Sequence, residues 1–81
     1  MRRKELLQRI SIRQDVCFGK PCVRGRRIWV SLVLDLLADG MSFEAVSTEY
    51  DLEQDDILAC IAYGAEMSRE RFFDLDLRTS A

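Results

Sequence analysis

The hydrophobic period changes at Ser31, and that switch fixes the plan of the chain. After it, Leu32, Val33, Leu36 and Leu37 recur at helical spacing, with Asp35 and Asp39 on the other face. Before it, no helical stripe is sustained. Ile10-Ser11-Ile12 alternates apolar and polar as a short strand does, and Asp15 to Pro21 is punctuated as a loop by Gly19 and Pro21. Cys22-Val23 and Ile28-Trp29-Val30 are β-favouring pairs on either side of Arg24-Gly25-Arg26-Arg27, the pattern of a small hairpin or two extended segments.

Capping residues divide the helical part. Ser31 is the expected N-cap of the first helix, and Gly40 stands where a left-handed residue would end it. Ser42 is the N-cap of a second helix over about 43–50, with Phe43, Val46 and Tyr50 inward. Asp51-Leu52-Glu53 breaks it. A third helix is expected from about Gln54 to about Phe72, with Ile57, Ile61, Gly64 or Ala65 and Phe72 as its stripe, flanked by Leu58 and Ala62. Asp55 and Asp56 in its first turn complement the positive helix end.

Two short helices and a longer one, joined by tight turns, make the trihelical plan of helix-turn-helix modules. Ser47, Leu52, Ile57 and Cys60 occupy the small, apolar, branched and inward positions that such a frame needs. The expected class is therefore mainly α, a short N-terminal β-element followed by a trihelical helix-turn-helix-like domain. There is no repeat or linker, so residues 1–81 are expected to form a single domain. Its parts are a basic arm or short helix (1–9), an extended β-element with a basic turn (10–30), three helices (31–73) and a tail (74–81).

A chain of 81 residues buries only roughly 60% of its unfolded surface, which favours a second copy or a partner. No stretch reaches the ~20 apolar residues of a membrane span. The basic start Met1-Arg2-Arg3-Lys4 is followed by Glu5, Gln8 and Arg9 rather than by the apolar middle of a signal peptide. A cytoplasmic protein without membrane contact is expected.

Composition narrows the chemistry. The absence of histidine removes the commonest general base and the commonest metal ligand. Three cysteines (Cys17, Cys22, Cys60) suit neither a disulfide framework nor a zinc site of about four ligands, so packing is their expected role. No catalytic residue, metal or cofactor is expected, and the chain is not expected to be an enzyme.

The net charge of −2 conceals two opposed halves. Residues 1–30 hold nine Lys and Arg against two acids, a net of +7; residues 31–81 hold three Arg against twelve acids, a net of −9. Either the basic half faces an anion such as DNA, or the halves neutralise one another. A recognition helix normally offers its N-terminal side chains to the groove, and here those are Glu53, Gln54, Asp55 and Asp56, which repel phosphate. DNA contact is therefore expected from Arg2, Arg3, Lys4, Lys20, Arg24 and Arg26, with the helices as scaffold, dimer surface or partner dock.

The run Gly19-Lys-Pro-Cys-Val-Arg-Gly-Arg-Arg-Ile-Trp-Val30 resembles the signature of the bacterial family called domain of unknown function 433, a Gly-Lys-Pro-apolar-apolar-Arg-Gly-Thr-Arg-Ile-x-Val pattern. Gly40, Ser42, Tyr50, Leu52, Asp56-Ile57, Ala59 and Ala62-Tyr63 follow in the family's order, so the resemblance spans about residues 9–65. Cys22, Arg26, Asp51 and Glu53 depart from the family's aliphatic, Thr, Pro and Ser/Thr positions. The resemblance implies a helix-turn-helix-like fold behind a β-element. It also implies an antitoxin that dimerises, occupies its own promoter and blocks a toxin similar to the PIN-domain ribonucleases. The alternative is a protein-interaction module whose basic turn docks an acidic partner and never meets DNA.

Within the signature, Gly19, Pro21, Gly25 and Arg27 are expected to be structural. The glycines permit unusual backbone angles, the proline stiffens the chain, and Arg27 would pair with a helix carboxylate such as Asp35 or Asp56. A regular extended chain would put Arg24 and Arg26 on one side and Arg27 on the other, with guanidinium geometry suited to phosphate or guanine edges. Trp29 either anchors an interface or closes the small core. Phe72 and Phe73, adjacent on a helix, are expected to meet another chain, a homodimer contact first of all.

Overall fold

A computed structural model describes residues 2–70. Phe72, Phe73 and the tail lie outside the described residues. The chain runs α1 (Arg2–Leu7), β1 (Ile10–Ser11), β2 (Cys22–Val23), β3 (Ile28–Trp29), α2 (Val30–Ala38), α3 (Phe43–Tyr50) and α4 (Gln54–Glu70). The arm is a helix, and the β-element is a three-stranded antiparallel sheet in the order β1-β2-β3. Its register places Ile10, Val23 and Ile28 side by side in one row, and Ser11, Cys22 and Trp29 in the next. The first row faces the helices and joins Val30, Val33, Val46, Leu52, Ile57, Ala59 and Cys60 in one core. No helix among the described residues is long and apolar enough to cross a membrane.

Helix α2 begins two residues earlier than its sequence suggests. Trp29, still extended, takes the N-cap position, with no side-chain cap. The Val30 N–H, an orphan of the first turn, donates to the Pro21 carbonyl at 3.0 Å. The shift turns Val30 inward and leaves Leu32 partly exposed. At the other end Gly40 (φ +101) follows Asp39, its N–H donating to Leu37 and that of Met41 to Leu36, both at 3.0 Å, a complete Schellman motif. Ser42 caps α3 by accepting the Ala45 N–H at 3.0 Å. Val46 is fully buried and Tyr50 half-buried, whereas Phe43, expected inward, is partly exposed at the rim.

The turn between α3 and α4 is a helix-turn-helix corner. Asp51 adopts the left-handed conformation (φ 55), the Leu52 N–H donates to the Ser47 carbonyl at 3.0 Å, and the Ser47 hydroxyl donates to the Leu52 carbonyl. Leu52, Ile57 and Cys60 are all buried, as the frame requires. The stripe of α4 is rotated from the expected one: Ile57 and Cys60 enter the core, while Ile61 is 38% exposed. Gly64, on the expected stripe, faces α2. A Cβ there would stand 3.1 Å from Leu34 Cδ1, so glycine lets α2 and α4 approach closely.

Candidate nucleic-acid interface

The acidic start of α4 is occupied from within the chain. Asp56, only 7% exposed, accepts the Glu53 N–H at 2.9 Å through one carboxylate oxygen, the returning half of a capping box. Its other oxygen accepts Arg9 Nη1 at 2.9 Å, and the same nitrogen reaches Glu53 Oε1 at 2.9 Å. Arg2 on α1 meets Asp55 at 2.7 Å. The bond from Arg2 holds the Asp55 carboxyl below its ordinary range; bonds to Glu53 and Asp56 raise Arg9 above the ordinary guanidinium value. Part of the charge asymmetry is thus neutralised within the chain itself. Arg2, expected on DNA, has its guanidinium on Asp55, and Arg9, which the sequence did not single out, organises the corner.

Of the other arm cations, Lys4 is exposed, while Arg3 lines a groove of about 400 Å³ with Leu6, Leu58, Ile61, Ala62 and Ala65. Helix α1 therefore lies along α4.

The basic turn is a tight four-residue loop between Val23 and Ile28, which pair in register. The Arg26 N–H donates to the Val23 carbonyl at 3.0 Å, and Gly25 takes φ +81 at the third position, the angle a type II turn demands there. Arg27 also adopts positive φ (57), so the expected alternation fails at both residues. The consequences for the arginines are specific. Arg24 is exposed, yet its Nε donates to the Gln8 carbonyl at 2.8 Å and Nη2 to the Ile10 carbonyl at 3.3 Å, stitching the hairpin to the α1–β1 junction. Arg26 reaches Asp51 at 3.3 Å across the surface, a bridge of little energetic worth.

Arg27, expected to pair with Asp35 or Asp56, does not: Asp56 is taken by Arg9, and Arg27 is exposed without an ion pair among the described residues. Its positive φ breaks the alternation expected of the turn, and its side chain lines hollows of the hairpin. The structural and the free arginine of the turn are therefore the reverse of the expected pair.

Arg27 instead joins two hollows. One, of about 330 Å³, is lined by Arg13, Arg24 and Arg27 over a floor of Ser11, Val16 and Cys22. The other, of about 470 Å³, is lined by Gln14, Asp15, Cys17, Phe18, Arg27 and Trp29. Lys20 lies beside them, its ammonium 5.1 Å from the Trp29 ring centroid, an attractive placement. Arg13, not singled out from sequence, is tethered to Asp15 at 3.1 Å.

The wall between strands β1 and β2 is a turn over Cys17–Gly19 with three consecutive positive φ angles, 54, 58 and 79. It is closed by Gly19 N–H on Val16 (3.1 Å) and Lys20 N–H on Cys17 (3.0 Å). For glycine this conformation is free, but Cys17 and Phe18 cost about 1–2 kcal/mol each to hold there. Burial pushes the Cys22 thiol up to about 11 and that of Cys60 to about 12, which makes both poor nucleophiles.

Fold and site together define a small helix-turn-helix-like protein whose basic surface lies on an N-terminal hairpin rather than on the start of α4. The family described as "Protein of unknown function (DUF433)" matches residues 10–64, and the chain belongs to it. No curated protein and no solved structure matches the chain.

Proposed function

We propose that the protein is an antitoxin-like regulator of a toxin–antitoxin pair, which binds operator DNA in its own promoter and neutralises a PIN-like ribonuclease toxin. It acts in the cytoplasm as a homodimer and needs no catalytic group of its own. The observation that carries the DNA reading is the gathering of Arg13, Arg24 and Arg27 on one groove, beside an exposed Lys20. Planar guanidinium forks match phosphate oxygens in pairs. The quenched start of α4 argues that the hairpin, not the recognition helix, meets the polyanion. The toxin half of the reading is supported by the family resemblance and by the acidic C-terminal half of the chain.

One observation favours the alternative, a module that docks an acidic protein: Arg13 and Arg26 already hold carboxylates, Asp15 and Asp51. Fluorescence anisotropy on the protein's own upstream duplex, beside a scrambled duplex, at low and moderate salt separates the two. The operator reading predicts submicromolar, sequence-preferring binding that falls roughly one power of salt per phosphate contact. Equal weak binding to both duplexes, combined with tight capture of the neighbouring gene product, would establish the docking module instead.

A further inference from the structure

Phe18 is the most exposed large apolar residue among those described, at 88%, and it sits at the centre of the three-residue left-handed turn. Neither property has a packing explanation. The turn's hydrogen bonds are made by backbone atoms, and asparagine or glycine would hold the same φ with less strain. A bulky ring kept at an unfavourable angle and left in water is a group that meets something else.

Its surroundings say what. Phe18 shares a hollow with Arg27, and Arg27 shares the next with Arg13 and Arg24. A single protruding ring beside the Arg27 guanidinium, with Arg13 and Arg24 on the adjoining hollow and Asp15 neutralised by Arg13, matches the cross-section of a duplex, with phosphates outside and apolar base faces within. A protein hot spot would sit instead in a packed apolar patch, and Phe18 has only the half-buried Trp29 near it on that hollow. A single-strand track would offer successive rings for successive bases.

We propose that Phe18 is a wedge that enters the base stack of bound duplex DNA, while Arg27, Arg13 and the Nη1 of Arg24 that its two backbone bonds leave free hold the phosphates on either side of the step it opens. This rests on the operator-binding reading and adds to it the residue that touches bases. Pyrimidine–purine steps, the easiest to unstack, are the expected site.

The test uses the full chain, and upstream duplexes carrying 2-aminopurine at each such step in turn. The parent should raise 2-aminopurine fluorescence at one step. Phe18→Ala should lose that rise and bind about tenfold more weakly, the loss of one base–aromatic contact, with its salt dependence unchanged. Phe18→Leu should keep part of the rise. Arg27→Ala should keep the rise at saturation but lower the salt slope by about one. Phe18→Asn should melt no lower than the parent while binding as weakly as Phe18→Ala, which separates loss of the wedge from loss of the fold.

If Phe18→Ala binds and unstacks the duplex as the parent does, the wedge is wrong and the operator reading survives. If the parent binds no duplex at any salt, both fall. If Phe18→Ala loses only the neighbouring gene product or only single strands, the ring belongs to that partner and the proposal is overturned.

Discussion

Asp56 tests whether the acidic corner is structural. Its carboxylate accepts two bonds at 2.9 Å, from the Glu53 N–H and from Arg9, and the residue is nearly buried. In Asp56→Ala the Glu53 N–H loses its acceptor at the start of α4, which costs about 1 kcal/mol as cap losses go. Removing a negative charge from the first helical turn costs roughly another 0.3–1 kcal/mol. The total, about 1.3–2 kcal/mol, lowers the melting midpoint of a domain this size by roughly 5–16 °C. Asp56→Asn is the informative control. Its amide oxygen still caps, while its amide nitrogen faces Arg9 donor to donor, so about half the loss should remain, near ~1 kcal/mol. Thermal and urea unfolding followed by circular dichroism near neutral pH give both values. If Asp56→Ala stays within about 0.5 kcal/mol of the parent, or Asp56→Asn costs as much as Asp56→Ala, the capping account is wrong.

Two further outcomes follow from the same geometry. The Cys22 and Cys60 thiols are raised in the folded state, to about 11 and about 12 from 9.0, so the stability they lend is whole below pH 9 and is lost as pH climbs through the folded values. Above pH 9 each should withdraw about 1.4 kcal/mol per pH unit, and a Cys60→Ala chain should show a shallower alkaline decline in urea midpoint; equal slopes would refute the assignment. Arg24→Ala should unfold about 1–2 kcal/mol more easily, because two backbone carbonyls lose a charged donor at a partly solvated site, whereas Arg27→Ala should leave stability unchanged. Equal stability of both variants would mean that the stitch from Arg24 to Gln8 and Ile10 contributes nothing.

The local signals read well wherever one residue decides a boundary. Ser42 and Asp51 bracket α3 at the expected positions, Gly40 ends α2 in the expected motif, and Ser47, Leu52, Ile57 and Cys60 fill the corner as their spacing predicts. What failed depends on partners distant in sequence. Ser31 is a good cap by composition, but the Pro21 carbonyl supplies an acceptor for the Val30 N–H and starts the helix earlier. Arg9 lies 44 to 47 residues from the carboxylates it joins, and no periodicity marks such a pair. The exchange of roles between Arg24 and Arg27 follows from positive φ at a non-glycine residue, for which an arginine carries no signal. Phe18 carries no outward signal in the sequence for the same reason: its residue type argues for burial, and only the backbone puts it outside.

In the proposed complex the polyanion meets the hairpin and not the start of α4. Amide chemical-shift mapping of the full chain, titrated with its upstream duplex, tests it directly. The account predicts shifts concentrated at Arg13, Phe18, Lys20 and Arg24–Arg27, with Glu53–Ile57 and the α1 amides unmoved. Shifts centred on Glu53–Ile57, with Arg2 of α1 released from Asp55 and Arg9 from Asp56, would contradict it and return the start of α4 to the groove.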